Sequence, residues 1–395
     1  MDKAKQMRHL LWFLLFLYLV VFSFGQFNRL PLTFLPAEVK IYFTDILVGI
    51  IGIIGTCFWK AKKEFPFARP LFVFMVAAFF SLIVASVSLT ASDTIASSLY
   101  LLRLVSYGLF FFTVWNLIKT NRENELILNS LIVIGVAIAV FGWIQYFLFP
   151  DLRALLTIGW DEHMNRVVGT FLDPNFTSII LVFTLILILG VEPLNGPIKW
   201  AVFSVVLIAL LLTYSRSGYL AFVAAIIVYS IILKNIRIGI LGAVLLIGGI
   251  FLLPKQTSEG TKLERTASLN LRMENLREGW ELFQVHPVFG VGFNTLRYTR
   301  EPQAEKYGPS HAASGFDNSF LFVLVTTGIV GFVAFINLLW QIIREVWSVE
   351  KMRAILIPSF AALAVHCLFV NSLFYPWVLG WLVLLLAAGL RPSEN

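Results

Sequence analysis

An all-helical, polytopic integral membrane protein is the fold class this sequence predicts, on three observations. Hydrophobic residues make up 58% of the 395 positions, charged residues only 13%, and mean hydropathy is +0.84, far from the roughly 25% charged usage of soluble domains. Apolar stretches approaching the ~20 residues of a spanning helix recur along the whole chain. Basic residues alternate between dense and sparse connections, as loops on opposite sides of a membrane do.

The apolar stretches fall at about 10–25, 41–59, 70–91, 95–118, 126–149, 174–191, 198–214, 217–233, 238–253, 318–340, 354–372 and 375–390. They amount to twelve spans, or ten to twelve if the shortest are re-entrant. The predicted organisation is a bundle of about nine spans over 1–253, an extracytoplasmic loop over 254–317 containing short amphipathic helices, and about three further spans over 318–395. Lys3, Lys5 and Arg8 precede the first stretch, and Phe24-Gly25-Gln26 is no small-residue cleavage site, so the N-terminus reads as a retained signal anchor. Cys57 and Cys367 both lie within spans, too few to indicate a disulfide scaffold or a metal site.

With the N-terminus in the cytoplasm, the cytoplasmic segments hold sixteen basic residues and the short opposite connections only five: Arg29, Lys40, Arg153, Arg166 and Arg216. Both termini are then cytoplasmic by the positive-inside rule. The segment around Arg166, the turn at Arg216 and the 254–317 loop all face outward. The same loop bias accounts for the net charge of +7, and without a basic, aromatic-interleaved soluble segment no nucleic-acid partner is expected. The sequence has no Walker A, complete GxGxxG or HExxH motif, so ATP hydrolysis, dinucleotide redox chemistry and zinc proteolysis lack support. Gly49, Gly52 and Gly55 form a small-residue stripe suited to close helix packing.

Chemistry is expected in the long polar loop, whose 64 residues carry eight Lys/Arg and eight Asp/Glu. Within it, Leu269, Met273, Leu276, Trp280 and Phe283 recur at helical spacing, predicting an amphipathic helix over 268–285 that carries Arg272. Arg277 and the neighbouring glutamates read as its solvated face. His286-Pro287 ends it, and Gly290 and Gly292 permit a tight turn back to the membrane. Arg216, in Thr213-Tyr214-Ser215-Arg216-Ser217-Gly218, is either a snorkelling marker of the interface or an anion clamp, since guanidinium offers a planar fork to phosphate oxygens. Asp173 or Asn175 caps the sixth span, while Arg166 adds charge to an outer-face anion site. Asp45 and Arg103 lie within spans and either pair structurally or meet substrate. Asp317 at the start of the tenth span is a helix cap or a general base, and His311 is the rival base.

Together these motifs resemble the O-antigen ligase and Wzy-type polymerase family: Arg166-x-x-Gly169-Thr170-Phe171-x-x-Pro174-Asn175, Ser215-Arg216-Ser217-Gly218, Arg272 with His286-Pro287-x-x-Gly290-x-Gly292, and Asn318-x9-Gly328-x2-Gly331. The resemblance covers about 166–340 by motif. It implies a multi-pass fold in the bacterial cytoplasmic membrane and transfer of a glycan from undecaprenyl diphosphate to an acceptor hydroxyl, without metal or other cofactor. Partners are the lipid-linked donor, the acceptor, the bilayer and other polysaccharide-assembly proteins such as a flippase or chain-length regulator. Arg216 and Arg272 then handle the donor diphosphate, Asp317 or His311 takes the proton, and Arg166, Asn175, Arg265 and Asn318 bind substrate. The ligases carry a histidine where this chain has Asp317, which favours polymerisation of repeat units. Ligation of a finished glycan is the alternative, and transport of lipid-linked glycan the second.

Overall fold

A computed structural model describes residues 3–30, 39–59, 65–158, 160–191, 196–254, 258–263, 267–299 and 315–391. Each of the twelve apolar stretches lies on a helix: α1 (Lys3–Phe22), α2 (Phe43–Trp59), α3 (Ala68–Ser86), α4 (Ala91–Leu117), α5 (Asn121–Leu148) and α6 (Pro174–Gly190), then α7 (Gly196–Leu212), α8 (Arg216–Ile232) and α9 (Ile236–Leu252). After the polar segment come α12 (Ser319–Ser348), α13 (Glu350–Cys367) and α14 (Pro376–Leu390); the segment itself forms α10 (Ala267–Val285) and the short α11 (Leu296–Thr299). Five of these helices, α1, α3, α4, α5 and α12, are long and apolar enough to cross a membrane, and six others are shorter apolar helices. The protein is thus an all-helical, multi-pass membrane type among its described residues.

The chain divides into two compact units. The first comprises Met1–Val21, Asn28–Lys119 and Asn270–Glu345. Here α2 packs on α4 because Gly52 and Gly55 carry no side chain: a Cβ on Gly52 would stand 2.8 Å from Leu109 Cβ, and one on Gly55 would overlap the side chain of Thr113. Gly49, the third residue of the stripe, faces open space, so the close approach rests on two glycines. Asp45 and Arg103 pair at 2.7 Å. Asp45 also accepts from Tyr42 N at 3.0 Å, and the Arg103 guanidinium lies over the rings of Tyr42 and Tyr100. These contacts satisfy the structural reading of that pair.

The second unit comprises Phe22–Phe27, Thr120–Leu269 and Val346–Asn395. Its centre is α6 and α14: every residue from Thr177 to Ile188 and every residue of α14 except Leu379 is buried. Helix α8 packs along α13 and against α6. Gly218 permits the latter contact, since a Cβ there would reach 2.4 Å from Ser178 Cβ.

Candidate functional site

In the second unit the site is built around the turn joining α7 to α8. Helix α7 ends with exposed carbonyls, as every helix does, and the segment entering from α5 covers them. Val167 N donates to Leu212 O at 2.8 Å, Arg166 Nε to Thr213 O at 2.8 Å, and Arg166 Nη2 to Tyr214 O at 3.3 Å. Arg166 is 6% exposed. A cation at a helix C-terminus is electrostatically favourable, and Gly260 lies close over the arginine stem. Gln145 holds the segment from the other side, donating to Arg166 O and accepting from Val168 N.

The turn then reverses through Tyr214, which adopts φ +49°. Ser215 caps α8, its Oγ accepting from Gly218 N at 3.2 Å and donating to Asn175 Oδ1 at 2.9 Å. Because that hydroxyl hydrogen is spent on Asn175, Ser217 donates to Ser215 across 3.1 Å, and His366 Nε2–H donates to Ser217 across 3.3 Å. Nδ1 of His366 then accepts from Ser372 Oγ at 2.6 Å. The direction of this relay is assigned from the network. Ser215, Ser217, His366 and Ser372 are all buried. The relay fixes the first turn of α8, where Arg216 stands, and Arg216 Nη1 donates to Leu263 O at 3.2 Å. Asp173, not Asn175, caps α6 through bonds to Asn175 N and Phe176 N at 2.6 and 3.1 Å. Burial pushes the Asp173 carboxyl up from 3.8 to about 6, against those two bonds, with Asp161 adding to the rise and Arg166 opposing it. The structure therefore joins the Arg166–Asn175 segment, the Arg216 turn and loop residues 258–263, three polar regions far apart in sequence.

In the first unit a candidate site of its own is built on α10 and α12. Gly279 lets α10 lie against α12, a Cβ there standing 2.7 Å from Leu321. Two turns before Gly279, Arg272 then faces Asp317, Nε to Oδ2 3.9 Å; the two side chains are 20% and 54% exposed. Asn318 does the capping, its Oδ1 accepting from Phe320 N and Leu321 N at 2.9 and 3.0 Å. The carboxylate of Asp317 thus lies beside Arg272 while Asn318 caps the helix. Arg277 pairs with Glu281 at 3.0 Å on the exposed face, matching its reading as surface charge. Arg265 and His311 lie outside the described residues.

The two glycine motifs prove to be one device. Helix α12 breaks at Gly328, with φ +63° and ψ −168°, and a break frees backbone groups that need partners. Residues 286–292 supply them: Val291 N and Gly292 N donate to Val325 O and Thr326 O, while Ile329 N and Val330 N donate to Pro287 O and Val288 O. The approach is too close for side chains. A Cβ on Gly328 would come 2.3 Å from Val288 O, and one on Gly290 would come 2.5 Å from Val325 O. Both motifs were visible in the sequence; their mutual pairing was not. His366 was missed outright, a lone histidine in an apolar helix having no local signal.

Among the described residues no group of His, Cys, Asp or Glu is arranged to hold a metal ion. Residues 201–336 match the O-antigen ligase family. This stretch, about a third of the chain, carries Arg216, Arg272, Asp317, Asn318 and both glycine motifs; Arg166 and Asn175 lie before it. No curated protein matches the chain.

Proposed function

We propose that this protein polymerises undecaprenyl-diphosphate-linked repeat units into an envelope polysaccharide at the outer face of a bacterial cytoplasmic membrane. At the coarser level the match of residues 201–336 to the O-antigen ligase family supports an enzyme of ligase or polymerase type acting on glycans. The observation that carries the finer reading is the facing of Arg272 and Asp317, with capping transferred to Asn318. A guanidinium and a carboxylate side by side are the two groups a glycosyl transfer from a lipid diphosphate requires.

In the proposed step the acceptor hydroxyl oxygen attacks the anomeric carbon, and the bond from that carbon to the phosphate oxygen breaks. The hydroxyl proton passes to Asp317, the bonding pair leaves with the diphosphate, and configuration inverts once. Arg272 neutralises the departing diphosphate, which is why no divalent ion is assigned; the resemblance gives Arg216 the same charge role. At 3.9 Å the Arg272–Asp317 contact is an ion pair without a hydrogen bond. A diphosphate of higher charge displaces the carboxylate from the guanidinium, so donor binding hands Asp317 to the acceptor. Arg166 acts by holding the carbonyls of the Arg216 turn; substrate binding by Asn175 and by Asn318 rests on the resemblance.

Aspartate where the ligases have histidine favours polymerisation over ligation. The test is product size from purified protein in nanodiscs with a lipid-diphosphate-linked oligosaccharide, with and without EDTA. A ladder that persists in EDTA and disappears in Arg272→Ala is expected. A single transfer to a separate acceptor would make the protein a ligase, and a ladder abolished by EDTA would overturn the metal-independent step.

A further inference from the structure

The paired glycine motifs carry a consequence for the bilayer. Gly328 lies nine residues inside α12, which at 1.5 Å per residue places the break about 13 Å below the helix start. Residues 286–292 are hydrogen-bonded to that break on both sides of it, so they reach the same depth. Their outer side chains are apolar: Val288 and Phe289 are 51% and 40% exposed. Val288 O accepts from Val330 N, and Pro287 O from Ile329 N. Ile329, Val330 and Val333 are themselves exposed on a helix long and apolar enough to cross a membrane. Whatever covers α12 at Ile329 and Val330 therefore covers Val288 and Phe289 too.

The backbone is also prepared for lipid. Non-helical chain is tolerated at membrane depth only where its polar groups find partners in the protein, and here Gly290 N, Val291 N, Gly292 N, Pro287 O and Val288 O all do. Upstream, Met273, Leu276 and Trp280 recur at three- and four-residue spacing and are exposed, whereas Arg277 and Glu281 form an exposed ion pair on another face of α10. An apolar stripe beside a charged one, with a tryptophan in it, is the pattern of a helix lying in the membrane interface.

We propose that residues 286–292 are a lipid-embedded re-entrant hairpin and that α10 lies in the adjacent headgroup layer on its Met273, Leu276 and Trp280 stripe. This sets Arg272 at headgroup depth. The occupant of the apolar surface is the acyl region of one leaflet, and the inference depends on α12 crossing the membrane, not on the glycosyl-transfer reading.

The experiment uses full-length protein with Cys57→Ser and Cys367→Ser and one new cysteine at a time: Val288→Cys, Phe289→Cys, Arg277→Cys or Ile329→Cys. Each is labelled with an environment-sensitive fluorophore and reconstituted in vesicles with or without doxyl-labelled lipid. Labels at Val288 and Phe289 should match the one at Ile329, quenched by lipid-chain doxyl several-fold more than by aqueous iodide, and the label at Arg277 should show the reverse. Val288 and Phe289 labels quenched by iodide like the Arg277 label would overturn the hairpin. Shielding from both quenchers would mean a protein partner covers the surface, and an iodide-quenched Ile329 label would remove the membrane reading of α12; either result overturns the proposal.

Discussion

Two arginines of the matched domain are held in opposite ways. Arg216 stands on a helix start locked by Ser215, Ser217, His366 and Ser372, all buried and hydrogen-bonded in one direction. Arg272 stands on α10 facing a carboxylate that is half exposed and 3.9 Å away. The first arrangement fixes the helix turn that carries a charge; the second sets two opposite charges near each other without a hydrogen bond between them. The same residue type thus serves in two different surroundings.

The largest effect should come from the exchangeable pair. Arg272→Ala is expected to cut polymer formation by about 10²- to 10³-fold, as loss of one preorganised charge-stabilising group does, and Asp317→Asn by about 10²- to 10⁴-fold as loss of a positioned base. Initial-rate assays of ladder formation decide both. Because the Arg272–Asp317 contact is an ion pair without a hydrogen bond between the two groups, Arg272→Lys should keep part of the activity while Arg216→Lys, on its fixed mount, should keep less. Equal retention would erase the contrast between them.

Next in size is Gly328→Ala. The positive φ and the 2.3 Å approach of Val288 O combine backbone strain with overpacking, together about 3 kcal/mol. Lower yield and a lower Tm in nanodiscs should follow, while Gly49→Ala, facing open space, should change neither. His366→Ala removes a link of the buried relay and leaves Ser217 and Ser372 without it, a cost of about 1–3 kcal/mol; thermal unfolding should register it, and kcat should fall with Arg216 misaligned. An unchanged Tm and kcat would show that Ser215 alone fixes α8.

The smallest effect concerns pH. Asp173 has its pKa raised from 3.8 to about 6 by burial, so the folded state holds its proton more tightly than the unfolded chain. Its stabilising contribution is complete below 3.8 and is lost as pH rises through about 6. Asp173→Asn keeps a capping side chain and should flatten the dependence of Tm on pH between about 4 and 6. An unaltered slope would assign that dependence to another group.

Helix existence was legible because twelve apolar runs leave little choice of structure in a bilayer, and the amphipathic helix expected over 268–285 forms as Ala267–Val285. The start of α1 was not: it begins at Lys3, seven residues before the apolar run, since basic residues extend a helix as readily as apolar ones do. Arg166 and Arg216 could be singled out, but not that Arg166 is spent on the carbonyls of Thr213 and Tyr214. Capping at α12 was offered to Asp317, and Asn318 took it, a choice between adjacent polar residues that local spacing does not resolve.

By itself the sequence determined the helical class, the amphipathic α10 and the motifs within the stretch that matches the O-antigen ligase family. These follow from composition, periodicity and residue type, which act locally. Only the tertiary structure decided that the His-Pro-x-x-Gly-x-Gly segment fills the break at Gly328, that Asp317 faces Arg272, and that His366 reaches Ser217 from 149 residues away. Each of these is a pairing of groups distant in the chain, selected because a backbone or side-chain polar group taken out of water must find its partner wherever the fold brings one.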